Sequence, residues 1–193
     1  MIKIRNCAIY GGTFDPIHNG HIHLIDWLIS SSRFDQVVIV PAGSPWQRKP
    51  VAGANDRLEM ARLALHGRNL IVSESEVRRG GASFAIDTVR EIAAEIPAQR
   101  YTWIIGSDAF AGISTWHEID ALAKLVEFLV IARPGHNLAA IPSGIQFESV
   151  EVSALDISAT QIRHEIATGG TWKNLVAPEV AEYIERKRIY AAA

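Results

Sequence analysis

His18 and His21 stand three residues apart, just after two glycines, in the run Gly11-Gly12-Thr13-Phe14-Asp15-Pro16-Ile17-His18-Asn19-Gly20-His21. An imidazole donates to phosphate oxygens, and such a bond strengthens when charge builds in a transition state. Glycine lets backbone approach a ligand closely, and a helix starting near residue 19 or 20 would present unpaired N–H groups to an anion. A second anion-binding set lies far downstream. Ser158 and Thr160 place two hydroxyls at the start of a predicted helix, and Arg163, one turn in, carries a fork of donors suited to phosphate. Ser158 and Gln161 also have the spacing of a capping box, so this helix is expected to be well capped in any case.

Other chemistries fit less well. Zinc binding by His18, His21 and His23 is disfavoured, because positions 21 and 23 diverge by ~200° around a helix. G-x-G-x-x-G, the turn that holds dinucleotides, is absent. Cys7 is the single cysteine, so it makes no intramolecular disulfide; it reads as a small core residue. No convincing Ser/His/Asp or Cys/His arrangement suggests a protein nucleophile, and no carboxylate cluster suggests a metal cage.

The elements that must position these groups follow from periodicity. Residues 2–10, 36–40, 70–73, 101–105, 126–132 and 145–152 read as strands. Helices are expected over 20–30, 56–66 capped by Asn55, 83–95 capped by Ser83 and ended by Pro97, 118–125, 158–168 and 178–187. Strands separated by helices predict an α/β, Rossmann-like, mostly parallel sheet with helices on both faces. Such sheets bind ligands beyond the carboxyl ends of their strands. The chemistry is therefore expected in residues 11–21, 41–50, 106–116 and 133–136.

With 193 residues the chain reads as one domain, 1–193, with a C-terminal helical portion from about residue 158. Apolar residues at 48% and charged residues at 21% exclude a disordered chain. A net charge of −2 argues against nucleic acid as the main partner. The sequence shows neither a membrane-spanning run nor a signal peptide, so a cytoplasmic location is expected, with no membrane partner. Its oligomeric state is left open.

The full string GGTFDPIHNGH resembles the signature of the nucleotidyltransferase superfamily that carries an (H/T)xGH motif. In the same order, Ile157-Ser158-Ala159-Thr160-Gln161-Ile162-Arg163 resembles that superfamily's ISSTxxR motif, with Ala159 lacking the usual hydroxyl. Ile104-Ile105-Gly106-Ser107-Asp108-Ala109-Phe110, followed by Trp116, is similar to a segment of the bacterial nicotinate-mononucleotide adenylyltransferases. So are residues 41–49, where Trp46-Gln47 replaces the usual Pro-His, and residues 56–60. Residues 83–88 are similar as well, although Ala85 lacks the usual threonine hydroxyl, and so are 130–135 and 180–190. The resemblance covers nearly the whole chain.

The resemblance implies a nucleotidyltransferase fold and transfer of AMP from ATP to nicotinate mononucleotide, giving deamido-NAD and pyrophosphate. Catalysis falls to His18, His21 and Arg163. ATP would meet Gly11, Gly12, Thr13, Phe14, His18, His21, Gly106, Asp108, Ser158, Thr160 and Arg163. The mononucleotide would meet Arg48 or Lys49, Ala85, Thr88, Trp116, His117 and Arg133. Trp116 would stack on the nicotinate ring, and backbone N–H groups near Ala85 and His117 would bind its carboxylate. Mg²⁺ is expected on the ATP phosphates, with no protein metal site. Pantetheine phosphate or nicotinamide mononucleotide as acceptor, and a non-catalytic nucleotide-binding module, are the alternatives.

Overall fold

A computed structural model describes residues 4–47, 49–132, 145–153 and 155–191. Six strands form one sheet: β1 (Ile4–Gly12), β2 (Gln36–Pro41), β3 (Leu70–Val72), β4 (Ala98–Gly106), β5 (Glu127–Ala132) and β6 (Phe147–Glu151). Their order is β3-β2-β1-β4-β5-β6, and every adjacent pair is parallel. The helices are α1 (Asn19–Ser30), α2 (Ala54–Ala64), α3 (Ser75–Arg79), α4 (Ala85–Glu95), α5 (Ser107–Phe110), α6 (Ile119–Leu122), α7 (Ala159–Thr168) and α8 (Pro178–Lys187).

Alternation along the strands builds two cores. Ala8, Val37, Ile39, Ile104 and Leu129 face Ile25 and Leu28 of α1, Met60 of α2, Ile162 of α7 and Val180 and Ile184 of α8. Their neighbours Cys7, Ile9, Val38, Val40, Ile105 and Val130 face Ile86, Val89 and Ile92 of α4, Phe110 of α5 and Leu122 of α6. A two-residue period on strands buried on both faces requires such a division.

Strand order reverses between β1 and β4, where Tyr10 lies opposite Ile104. The carboxyl ends of these two strands, Gly11-Gly12 and Gly106, therefore flank the crevice in which doubly wound sheets take their ligands.

Several boundaries differ from the sequence expectation. β1 runs on through both glycines to pair Gly11 with Val40 and Gly12 with Pro41. β4 begins at Ala98, and the five-residue α3 is an unexpected element. Asn55 and Ser83 are not caps; Gly53 and Phe84 hold those positions. The Ala52 N–H is tied to Asp15 and the Ser83 hydroxyl accepts from the Ser44 N–H, so tertiary contacts set both helix starts. The Ser158 cap is present: its hydroxyl accepts from the Gln161 N–H at 3.2 Å.

Candidate active site

The first loop is built around His18, which occupies the N-cap position of α1. Its backbone N–H donates to Nδ1 of His21 at 3.2 Å, and the two rings lie 3.7 Å apart between centroids, tilted by 31°. An accepting Nδ1 requires the neutral His21 ring to carry its proton on Nε2. Phe14 supports the pair from below, its ring edge-on to His21 at 5.0 Å. Gly12 is needed here, because a Cβ would fall 2.7 Å from the Phe14 ring. Gly11 lies over Trp103, where a Cβ would sit 3.0 Å from the indole.

Helix α7 comes to the same place. Arg163 donates to the Asp15 carbonyl at 2.7 Å and to the Thr160 hydroxyl at 3.2 Å. A Cβ built on Gly20 would lie 3.9 Å from Ile157. The N-termini of α1 and α7 thus abut, and His18, His21 and Arg163 share one rim of the sheet. Ser158 and Thr160 are exposed beside them. Two helix starts facing one space concentrate backbone donors and positive dipole ends.

At the β4 end, Gly106 and Asp108 are exposed, and a Cβ on Gly106 would enter open space. Trp116 is half-buried rather than exposed. It meets Trp103 edge-on at 6.1 Å, and its Nε1 is buried with no hydrogen-bond partner among the described residues. His117 stacks on Phe84, centroids 4.2 Å apart, which brings it to the start of α4 and hence to Ala85. Thr88 is fully buried and its hydroxyl is directed at Glu76 and the Phe84 carbonyl, so it faces the interior. Lys49 is exposed. Arg48 and Arg133 lie outside the described residues.

Beneath these loops is a network of buried charges with no local sequence signal. Asp15 accepts from the N–H groups of Val51 and Ala52 and from the Tyr190 hydroxyl, at 2.7, 3.0 and 2.8 Å. Glu76 accepts from the Gly43 N–H at 3.2 Å. Arg57, 1% exposed, lies between them. Burial lowers its affinity for its proton, and the charges of Asp15 and Glu76 oppose that loss. Among the described residues no group of three His, Cys, Asp or Glu is placed to hold a metal ion. No helix among them is long and apolar enough to cross a membrane.

Residues 9–165 match the model of the cytidylyltransferase-like family. The chain belongs to this family. Among its relatives, a Frankia casuarinae protein is 39% identical over 95% of this chain and 99% of its own length. One from Bordetella avium is 34% identical over 98% of this chain and the whole of its own. Both bear the name "probable nicotinate-nucleotide adenylyltransferase". A Plasmodium falciparum nicotinic acid mononucleotide adenylyltransferase, solved with NaAD, superposes with a TM-score of 0.77 at 19% identity. That superposition covers 96% of this chain and 97% of the other, and it is a likeness of fold. The likeness of fold thus agrees with the parallel sheet and its switch point between β1 and β4.

Proposed function

We propose that this member of the cytidylyltransferase-like family is an adenylyltransferase that moves AMP from ATP to nicotinate mononucleotide, releasing pyrophosphate and forming deamido-NAD. The meeting of the α1 and α7 N-termini, held by Arg163 on the Asp15 carbonyl, carries this reading. It gathers two imidazoles, two hydroxyls and a guanidinium where a triphosphate can span them. Full-length relatives named for this activity give the acceptor.

The nucleophile is a phosphate oxygen of the mononucleotide, already ionised at neutral pH. It forms a bond to the α-phosphorus of ATP as the bond to the bridging oxygen of pyrophosphate breaks, and pyrophosphate leaves with that electron pair. No protein nucleophile takes part, so the protein positions two anions and stabilises spreading charge. His18 and His21 act on the triphosphate, with the His21 Nε2–H as a donor. Ser158, Thr160 and Arg163 hold the outer phosphates; Gly106 and Asp108 meet the adenosine. Trp116 supports the nicotinate ring, with the first N–H groups of α4, near Ala85, close to its carboxylate. Lys49 or Arg48 neutralises the acceptor phosphate. Mg²⁺, if carried in on the ATP phosphates, would supply charge neutralisation between the two substrates, with no ligand cluster required of the protein.

Pyrophosphate release with ATP and each of nicotinate mononucleotide, nicotinamide mononucleotide and pantetheine phosphate tests the assignment. Nicotinate mononucleotide should give the highest kcat/KM, and activity should vanish with excess EDTA. A preference for pantetheine phosphate, or no release with any acceptor, would overturn it.

A further inference from the structure

Arg57 is fully buried, yet none of its hydrogen bonds goes to a carboxylate. Its Nε donates to the Ala52 carbonyl at 3.2 Å, one terminal nitrogen to the Thr13 carbonyl at 2.7 Å, and the other to the Gly43 carbonyl at 3.0 Å. Thr13 belongs to the loop assigned to the triphosphate. Gly43 and Ala52 are the two ends of the loop assigned to the acceptor phosphate. One rigid fork thus fixes the spacing between the donor loop and both roots of the acceptor loop.

The surrounding charges hold two of these three points. Asp15 takes the Ala52 N–H from one side, and Glu76 takes the Gly43 N–H from the other. Helix α3 is packed so closely that a Cβ on Gly43 would fall 2.4 Å from the Glu76 carbonyl oxygen. The roots of the acceptor loop are therefore fixed, while Trp46 and Val51 within it are exposed.

We infer that Arg57 is a positioning residue for the transfer: it sets the distance and line between the acceptor phosphate and the α-phosphorus. This inference rests on the reading of the reaction given above. In-line displacement is sensitive to such spacing, and a misplacement of about 1 Å costs on the order of 100-fold in rate. Only a guanidinium reaches three carbonyls in one plane; a lysine ammonium is a point charge on a flexible stem.

The test compares wild type, Arg57→Lys and Glu76→Gln as full-length proteins. Steady-state kinetics are measured with ATP and nicotinate mononucleotide, calorimetric binding with each substrate alone, and folding by circular dichroism. Arg57→Lys should lose roughly 10–100-fold in kcat. Each substrate alone should still bind within about threefold of wild type, since each half of the site survives. Glu76→Gln keeps the side-chain shape and removes one countercharge; its kcat should fall a few-fold with the same preserved binding. It decides the matter if Arg57→Lys does not fold. Folded variants with wild-type kcat, or with a loss confined to one KM, would overturn the positioning role alone. A wild type that releases no pyrophosphate from these substrates would overturn the reaction reading, and the role of Arg57 with it.

Discussion

The backbone N–H of His18 donates to Nδ1 of His21, so the helix start and the imidazole fix each other. The neutral ring then holds its proton on Nε2, the nitrogen proposed to donate to a phosphate oxygen. His21→Ala removes a preorganised donor, a loss that typically costs ~3–4 kcal/mol of transition-state stabilisation, or ~100–1000-fold in kcat. The backbone bond it also removes is worth only about 1 kcal/mol, so the fold should persist. Single-turnover rates alongside a thermal melt check both halves. Near-normal turnover in the folded variant would refute the role of His21.

Trp116 is braced edge-on by Trp103, which itself lies under Gly11. The proposed ring platform for the mononucleotide and the proposed loop for the triphosphate are thereby supported by one indole. Trp116→Ala should raise the KM for nicotinate mononucleotide about tenfold and leave the KM for ATP within twofold, since an aromatic stack is worth ~0.5–1.5 kcal/mol beyond its buried area. An unchanged KM for the mononucleotide would remove Trp116 from the site.

At Gly106 the fold makes no demand for glycine. Its φ is −73°, and a Cβ would touch nothing within 4 Å. Gly106→Ala should therefore melt within a degree or two of wild type. If adenosine lies against this backbone, the added methyl should weaken ATP binding by about tenfold, measured by calorimetry. Unaltered ATP affinity would place the adenosine elsewhere.

Much of this architecture is local in origin and hence legible in the sequence. Val37 to Val40 form a β-branched run buried on both faces, and Ile86, Val89 and Ile92 recur at helical spacing. The glycines and histidines of residues 11–21 mark a candidate anion site in the sequence, and the structure brings His18 and His21 together there. What could not be read is what depends on distant partners. Asp15 meets Tyr190 across 175 positions and Arg57 meets Thr13 across 44, and no periodicity reports such contacts. Helix α3 is too short for an apolar period to show. Asn55 and Ser83 have the chemistry of caps, but Asp15 and Ser44 set those helix starts from outside. Thr88 reads as a ligand in its motif, whereas its burial turns it toward Glu76.

Tyr190 closes the network at the C-terminal end, donating to Asp15 while 8% exposed. Burial, then the Asp15 carboxylate, raises its pKa far above the ordinary tyrosine value. Burial and a hydrogen bond to Asp56 push Tyr183 up to about 12, and burial pushes Cys7 up to about 12. In each case the folded chain keeps a proton that the unfolded chain releases near its ordinary pKa, 9.0 for the thiol and 10.0 for the phenols. The unfolded state then binds fewer protons, so stability falls as pH rises from about 9 to 12. Below about pH 8 all three groups are protonated in both states and contribute no slope. The melting temperature should therefore be insensitive to these groups at neutral pH and drop steeply above pH 9. Tyr190→Phe loses a bond to a charged acceptor, worth about 1–3 kcal/mol at pH 7. It also has no phenolic proton to lose, so its decline should be shallower and its deficit should shrink as the pH climbs. Melting curves of the two proteins that stay parallel from pH 8 to 11 would show that Tyr190 does not carry this dependence.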